Sequence, residues 1–312
     1  MLRATSVERS ETEGRKPEAG SAMLPGMAGK RPVAIVGAGN LGAALARSLQ
    51  QAGYAIEVVI ARSSRASLRK AQRLAQQVGA RVATSLSGVE ARLVWFCVPD
   101  AAIASAAQML AQTIEWKGRV ALHSSGALGS DELAVLRRRG AVVASVHPLM
   151  TFVRRSRPSL AGVPFAIEGD AGAVRVARGV VQDLGGLPYP IRKKDKAAYH
   201  AWGTFASPLL TALLATTEQV AVAAGVRRKA ARQRMIPILL QTLANYASFG
   251  AAGAFSGPIV RGDVDTVKRH LRVLDSSGAA REVYLALAGS ALQYLPAKNK
   301  RLLKQLLDAS RR

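Results

Sequence analysis

The sequence predicts an α/β domain with a doubly wound parallel sheet, followed by an all-α domain. From Arg31 to about Ile191, short β-branched runs alternate with helical segments, a pattern typical of a parallel sheet with helices on both faces. After Asp195 the strand-like runs end, and long segments with helical apolar periodicity follow. We therefore expect an N-terminal domain at residues 31–191 and a helical domain at residues 192–312.

The segment before the first domain differs from both. Residues 1–30 mix charged residues with Gly, Pro and Ser, without periodicity. They lack the apolar stretch of roughly 7 to 15 residues that a signal peptide needs. We expect a disordered leader, in which Met23 and Met27 are alternative start positions.

The individual elements are predicted from runs of apolar residues and their period. The predicted strands are Val33–Val36, Ile56–Ala61, Leu93–Val98, Val120–Leu122, Val142–Val146, Phe165–Glu168 and Tyr189–Ile191. The predicted helices include Leu41–Gln51 in the first domain and, in the second, Ala197–Ala223, Lys229–Phe249, Val264–Leu274, Ser276–Leu295 and a basic tail from Asn299.

One uncharged run, Met235–Val260, is long enough for a transmembrane candidate, since about 18 apolar residues suffice. It contains Gln241, Asn245 and Pro258, and charges flank it on both sides. We therefore expect a buried helix followed by a glycine-rich loop, and no membrane association.

The charge balance is strongly basic. The chain has 44 Lys and Arg against 20 Asp and Glu, a net charge of +24, which raises nucleic acid as a partner. The basic residues are spread along the chain, aromatic content is 5%, and no nucleic-acid motif is recognisable. We expect no specific nucleic-acid partner; an arginine-rich surface around an anion-binding pocket explains the charge, and polyanion binding remains an alternative.

Cysteine and histidine usage argues against metal and disulfide chemistry. The single cysteine, Cys97, excludes an internal disulfide framework and a cysteine-based zinc site. The four histidines, at positions 123, 147, 200 and 270, do not have metal-binding spacing. We expect no metal, and a cytoplasmic location.

A glycine pattern follows the first predicted strand. Gly37, Gly39 and Gly42 form a complete G-x-G-x-x-G with Asn40 and Leu41, and it opens a helix. In a Rossmann domain the first glycine makes the tight turn, the second admits the pyrophosphate and the third lets helix and strand pack closely. The helix N-terminus then binds the phosphates. The alternative is that these glycines only terminate a strand.

The residues after the second strand favour NADP(H) over NAD(H). An NAD-binding domain usually has Asp or Glu about 20 residues after the motif, whereas this chain has Arg62, Ser63 and Arg65. Arginine binds a 2′-phosphate bidentately and serine donates hydrogen bonds. The alternative is a solvated first turn of the next helix. Further cofactor contacts are expected at Val98, Pro99 and Asp100, although Asp100 can also cap a helix beginning at Ala101.

Several short motifs carry a family resemblance: His123-Ser124-Ser125-Gly126, His147–Phe152, Pro164–Asp170, Tyr199-His200-Ala201 and Gly257–Asp263. With the glycine pattern, they make the chain similar to a bacterial oxidoreductase-like family that joins a Rossmann-like domain to the helical domain of unknown function 2520. The resemblance extends from about Arg31 to Leu306.

That family resembles the 6-phosphogluconate dehydrogenase-like group, which includes ketopantoate reductase and pyrroline-5-carboxylate reductase. The resemblance implies that NADPH reduces a small oxo acid or imine. The chain departs from the family pattern at Ser207-Pro208, where Ser-Asn is expected. The missing amide favours a protein that binds or senses NADP(H) without catalysis.

Other candidate residues follow strands at the cofactor edge. Ser124 is a candidate catalytic residue and Ser125 a candidate for binding a substrate carboxylate; the alternative is that the two hydroxyls cap the helix before Asp131. His147 follows the next strand and is a candidate catalytic residue, with a structural histidine as the alternative.

In the second domain, Arg261 and Asp263 occupy a Gly/Pro-bounded loop and are candidates for binding an anionic substrate, with Ser207 as a further candidate. The alternative for Asp263 is a cap on the helix from Val264. Lys196 and His200 lie four residues apart and would share a helix face. In the resembling dehydrogenases a lysine begins the equivalent helix and a polar residue follows one turn later, so both are candidate catalytic residues; a solvated basic helix start is the alternative for Lys196.

These observations predict an NADPH-dependent reductase of a small anionic carbonyl or imine compound. We also expect a homodimer through the helical domain, because the apolar segments Leu209–Leu214 and Ile236–Leu243 exceed what one short helical layer buries.

Overall fold

The computed structural model describes residues 30–311, so nearly all of the predicted leader lies outside the described residues. The chain divides after Ile191 into two compact units. The first unit contains all the strands of the described chain, and from Lys193 to Ala309 the elements are helical. An α/β region followed by an all-helical region is the fold class that the sequence predicts.

The first unit is built on one eight-stranded sheet in the order β3-β2-β1-β4-β5-β6-β7-β8. Its strands are β1 Val33–Val36, β2 Ile56–Ile60, β3 Arg81–Ala83, β4 Leu93–Phe96, β5 Val120–His123, β6 Val142–Pro148, β7 Pro164–Gly169 and β8 Leu187–Pro190. Its helices are α1 Asn40–Gln51, α2 Arg65–Val78, α3 Ile103–Leu110, α4 Ala134–Arg137 and α5 Ala171–Asp183, with 3-10 turns at Asp100–Ala102 and Ser130–Leu133.

The sheet departs from the sequence prediction in two places. β3 was not predicted, because three residues at the outer edge of the sheet are too few to show a period. The sheet is parallel as predicted except at one edge, where β7 pairs antiparallel with β6. A parallel pair needs a long crossover, usually a helix, whereas residues 149–163 contain no helix and lead back along β6.

Both faces of the sheet are covered, which explains the continuous apolar runs in its strands. One cluster joins alternate strand residues to α1, α2 and α5. The other joins the opposite residues to α3 and α4. Since β1, β4 and β5 are parallel neighbours, the loops that follow them lie at the same edge of the sheet.

The second unit consists of α6 Lys196–Thr204, a π-helical segment at Phe205–Leu209, α7 Leu210–Ala223, α8 Arg228–Ala254, α9 Pro258–Arg261, α10 Val264–Leu274, α11 Gly278–Tyr294 and α12 Lys300–Ala309. Its small core joins α10, α11 and α12. The predicted single helix Ala197–Ala223 is interrupted by the π segment, which contains Pro208. Proline has no amide hydrogen and its ring displaces the carbonyl four residues earlier, so the regular ladder cannot continue.

The prediction of a buried helix in Met235–Val260 is wrong for the single chain. α8 buries only Ala231, and α7 buries no residue. Ile238 is 67% exposed and Phe249 is 68% exposed. The apolar residues were interpreted correctly as helical, but nothing in the described chain covers them.

One helical stretch, Lys193–Ala223, is long and apolar enough to cross a membrane by length and composition, and its apolar window is not buried. An exposed apolar face also occurs where two protein subunits meet. A single stretch of this kind is weak evidence for a membrane span.

Candidate functional site

The turn between β1 and α1 is tightly packed against the end of β4. Gly37 has φ +104°, and a Cβ there would lie 2.6 Å from the Cys97 carbonyl oxygen. A Cβ on Gly42 would lie 2.1 Å from the Gly37 carbonyl oxygen. Both positions therefore require glycine for the backbone to close the turn.

Gly39 has different surroundings. Its φ is −73°, and a Cβ added there would have the Cys97 carbonyl oxygen as its nearest neighbour, at 4.0 Å. It precedes α1 as the N-cap and offers no side-chain cap to the first amides of the helix. A helix start with unoccupied amides and an open face can bind an anion. We call this open space at Gly39 and the start of α1 the cradle. Its backbone amides suit the pyrophosphate of a dinucleotide.

Asn40 and Leu41 begin α1. The Asn40 side-chain amide donates to the Phe152 carbonyl oxygen at 3.1 Å, in the segment after β6. This contact uses one of the two side-chain amide hydrogens and anchors the side chain to the segment after β6, beside the backbone amide of Asn40 at the start of α1. Leu41 is half-buried and packs against the core beside α1.

The arginine and serine side chains after β2 are exposed. Ser64 caps α2 by accepting from the Ser67 amide at 3.4 Å, and the Arg62 amide donates to the Ser67 hydroxyl oxygen at 3.1 Å. These bonds fix the backbone of the turn and leave the side chains of Arg62 and Ser63 in solvent. Arg65 is the first residue of α2.

The residues after β4 connect the glycine turn to the loop after β5. Val98 contacts the turn, since its Cγ1 would lie 3.0 Å from a Cβ on Gly37. Pro99 precedes a 3-10 turn that begins at Asp100, rather than a helix that Asp100 caps. The Asp100 carboxylate instead accepts from the Ser125 hydroxyl at 2.8 Å.

The loop after β5 is held by several buried polar contacts. The Ser125 hydroxyl also accepts from the amides of Ala127 and Leu128, at 3.2 and 2.9 Å. One donated and two accepted bonds use its full capacity. These bonds let Ser125 fix the loop after β5 and hold Asp100 in place. The predicted contact of Ser125 with a substrate carboxylate stays a prediction.

Ser124 retains a hydrogen to donate. Its hydroxyl oxygen accepts from the indole Nε1 of the buried Trp95 at 2.8 Å. That bond uses an acceptor site and leaves the hydroxyl hydrogen for another partner. Neither serine caps the 3-10 turn at Ser130–Leu133, whose N-cap is Gly129, so that alternative does not hold.

His123 is fully buried at the end of β5, and its bonds define its tautomer. Nδ1 accepts from the Ser125 amide at 3.1 Å, so Nε2 carries the hydrogen that faces the Gly129 carbonyl oxygen at 3.0 Å. The neutral ring thus joins both ends of the loop.

Sequence reasoning missed the roles of Trp95 and Glu168 in this loop. The Glu168 carboxylate accepts from the amide and the hydroxyl of Ser130, at 2.6 and 3.0 Å. The available signal was a carboxylate and an indole within strands that are otherwise apolar, because buried polar groups require partners. His147 lies inside β6, half-buried, and its catalytic role stays a prediction.

The candidate residues of the second unit lie on three elements. Lys196 begins α6 and is 1% exposed, whereas His200, one turn later, is exposed. Ser207 lies in the π segment and accepts from the Thr211 hydroxyl through its carbonyl oxygen at 3.1 Å. Burial of Lys196 argues against the solvated helix start that was its alternative.

Arg261 and Asp263 flank the turn between α9 and α10. Asp263 caps α10 by accepting from the Thr266 amide at 3.0 Å, as its structural alternative predicts. Hydrogen bonds from Thr266 and the charges of Arg261 and Arg269 lower the pKa of the Asp263 carboxyl. Arg261 is exposed and ends α9, so of the two it is the better candidate for an external anion.

Models of known protein families match most of the chain, but the boundary between them lies before β7, earlier than the division after Ile191. A Rossmann-like domain model matches residues 16–148, and a model for a domain of unknown function, DUF2520, matches residues 163–291. A search of curated protein sequences finds no match.

Solved structures share the fold at low sequence identity. A candidate NADP oxidoreductase from Bacteroides fragilis is 22% identical with a TM-score of 0.70, covering 83% of this chain and 97% of that one. A reductive aminase from Aspergillus terreus, in complex with NADPH and ethyl-5-oxohexanoate, is 17% identical with a TM-score of 0.62, covering 88% and 99%. A 1-pyrroline-5-carboxylate reductase from Streptococcus pyogenes is 15% identical with a TM-score of 0.58, covering 84% and 98%.

The fold and the glycine turn define a Rossmann-like protein with a helical C-terminal region. The chain matches a Rossmann-like domain model followed by a DUF2520 model.

Proposed function

We propose that the protein is an NADPH-dependent reductase of a small anionic carbonyl or imine compound. The observation that carries the proposal is the turn at Gly37–Gly42, whose backbone leaves an open cradle at Gly39 beside the start of α1. Three proteins that share the fold are a candidate NADP oxidoreductase, an NADPH-bound reductive aminase and a pyrroline-carboxylate reductase.

The cofactor would be held by the first unit. The amides of Gly39, Asn40 and Leu41 would bind the pyrophosphate, and Arg62 and Ser63 the 2′-phosphate, with Arg65 supporting the charge. Val98, Pro99 and Asp100 lie beside the glycine turn and would border the cofactor. When bound, NADPH supplies the hydride.

Reduction of a carbonyl or imine also needs a proton donor and residues that bind and orient the substrate. We assign proton donation to Lys196, with His200 sharing the proton or orienting the substrate. Ser124 has a hydroxyl hydrogen available for a substrate oxygen. Arg261 is exposed at the end of α9, and a guanidinium group can bind a carboxylate bidentately. Because Ser125 and Asp263 are occupied by the loops that they stabilise, we assign them positioning roles.

A specific observation favours a second candidate, a protein that binds NADP(H) without catalysis. The resemblance implies an amide side chain at position 208, where this chain has Pro208, and that residue lies in a π-helical segment. π-Helical turns occur often at functional sites, so a change there affects the site itself. Measurement of turnover separates the two candidates.

The proposed function is tested by recording NADPH oxidation with a panel of oxo acids and cyclic imines, and NADPH binding in parallel. We expect oxidation with at least one member of the panel. Tight binding without any turnover would support the non-catalytic candidate, and failure to bind NADPH would contradict both.

The cofactor preference gives a sharper prediction. We expect NADPH to bind about ten- to a hundredfold more tightly than NADH, because charge-assisted hydrogen bonds contribute about 1.5–3 kcal/mol. Isothermal titration of Arg62→Ala should show the loss of this preference with NADH affinity unchanged. Arg73→Ala, which removes an exposed arginine from α2, is the matched control. Equal affinities for both cofactors in the wild type would refute the assignment of Arg62.

We further propose a homodimer through α7 and α8. Both helices leave their apolar side chains exposed in the single chain, including Ile238 and Leu240 at 67% and 63%. A second copy would bury them without any membrane, in line with the expected cytoplasmic location.

Light scattering tests the dimer. We expect twice the chain mass for the wild type, and a shift to the monomer mass for Ile238→Glu, since a buried carboxylate in an apolar interface is unfavourable. Leu302→Glu places the same change on an exposed leucine of α12 and should leave the mass unchanged. A wild-type monomer mass at all concentrations would exclude the interface.

A further inference from the structure

The first unit contains a cavity of about 460 Å³ that the proposed reaction does not use. It lies between the C-terminal half of α1 and the chain around Ser159, which follows β6. Arg47 and Ser48 line it from α1, and Arg157 and Ser159 line it from the opposite segment. Arg47 is eight residues along α1 from Gly39, about 12 Å at the helical rise.

The positive charge of this cavity is not neutralised within the described part of the chain. Arg47 is half-buried and donates to the neutral Gln77 Oε1 at 3.3 Å. Neither Arg47 nor Arg157 forms an ion pair with a residue in the range 30–311. Partial burial and the nearby charge of Arg157 lower the pKa of the Arg47 guanidinium.

The one carboxylate in the wall is already engaged. Asp183 accepts from the Tyr54 hydroxyl at 2.6 Å and pairs with Lys30 Nζ at 2.9 Å. Burial alone would raise the pKa of Asp183, but the bonds from Tyr54 and Lys30 bring it below its usual range. Its charge is balanced by Lys30, so it does not neutralise the two arginines.

We propose that this cavity binds a small multivalent anion, with a phosphoryl or carboxylate group held between Arg47 and Arg157. Guanidinium groups donate bidentately to such groups, and the hydroxyls of Ser48 and Ser159 add two donors of the right kind. An anion removes the repulsion between two like charges that share one cavity. The site is separate from the proposed pyrophosphate cradle at the other end of α1.

Isothermal titration of the full chain tests the site, with inorganic phosphate and citrate as probes in a low-chloride buffer. NADPH is added to saturation so that its phosphates occupy the glycine turn. We expect single-site binding of at least one probe, weakened about tenfold or more in Arg157→Gln and in Arg47→Gln. Stronger binding of phosphate than of citrate would identify a phosphorylated ligand, and the reverse order a polycarboxylate.

Arg155→Gln is the matched control, because it removes the same charge from the same exposed segment but does not line the cavity. We expect its affinity to stay within about threefold of the wild type, as for a screened surface charge. Equal losses in Arg155→Gln and Arg157→Gln would show a diffuse charge effect and overturn the site. Absence of binding in the wild type would overturn it as well. Arg157 is exposed, so its replacement does not depend on the fold tolerating a change at Arg47.

Discussion

Alanine in place of Gly42 is expected to destabilise the first unit by about 3 kcal/mol, the upper end of the usual cost of overpacking, because the backbone around it is rigid. The added Cβ would lie 2.1 Å from the Gly37 carbonyl oxygen and 3.0 Å from the Cys97 Cβ. The turn cannot move away, because the Gly37 amide donates to Ile60 and the Cys97 amide donates to Val36. Urea denaturation of Gly42→Ala should show a lower midpoint, or no cooperative transition.

Gly39→Ala provides the matched comparison within the same turn. A Cβ at this position meets no atom nearer than 4.0 Å, so stability should stay within about 1 kcal/mol of the wild type, the range for N-cap exchanges. The Cβ would occupy the cradle instead, and we expect NADPH affinity to fall at least about tenfold. Equal stability of the two variants would contradict the packing argument, and unchanged NADPH affinity in Gly39→Ala would contradict the cradle.

Much of the fold could be predicted because patterns among residues close in sequence determine many of its helices and strands. Val33–Val36 and Val264–Leu274 have the predicted bounds, since each has a continuous pattern and a local end signal: a glycine turn in one case and the Asp263 cap in the other. The antiparallel β7 was not predictable in this way. Strand direction depends on the path of residues 149–163, which have no pattern of their own.

The candidate site also contains local features that could be predicted from the sequence and long-range contacts that could not. The glycine turn at Gly37–Gly42 and the group Arg62, Ser63 and Arg65 are local motifs, so their spacing in the sequence was enough to predict a cofactor site. The bonds from Trp95 to Ser124 and from Ser125 to Asp100 join residues 29 and 25 positions apart. No periodicity specifies such pairs; they arise because parallel strands bring their carboxyl ends to one edge. For that reason the sequence could not indicate the hydrogen bonds that Ser125 forms within its loop, and its predicted contact with a substrate stays a prediction.

Replacement of Lys196 should have the largest effect on catalysis. Lys196 is 1% exposed at the start of α6, and a buried ammonium group is uncommon because its removal from water is costly unless it is paired. If it donates the proton during reduction, Lys196→Met should lower kcat by about 100- to 10,000-fold, the usual cost of losing a general acid. His200→Ala should lower kcat less, because His200 is exposed and is assigned to orient the substrate or share the proton.

Two controls separate this role from a structural one. Lys194→Met makes the same replacement at an exposed lysine two positions earlier and should leave kcat within about threefold of the wild type, as expected for a solvated residue. NADPH affinity should be unchanged in all three variants, because the proposed cofactor contacts lie in the first unit. A general acid also gives the pH profile of kcat a limb that Lys196→Met should remove, whereas loss of packing would lower kcat at every pH. Rates for Lys196→Met and His200→Ala within about threefold of the wild type would exclude the pair from the mechanism, since a general acid contributes far more than that.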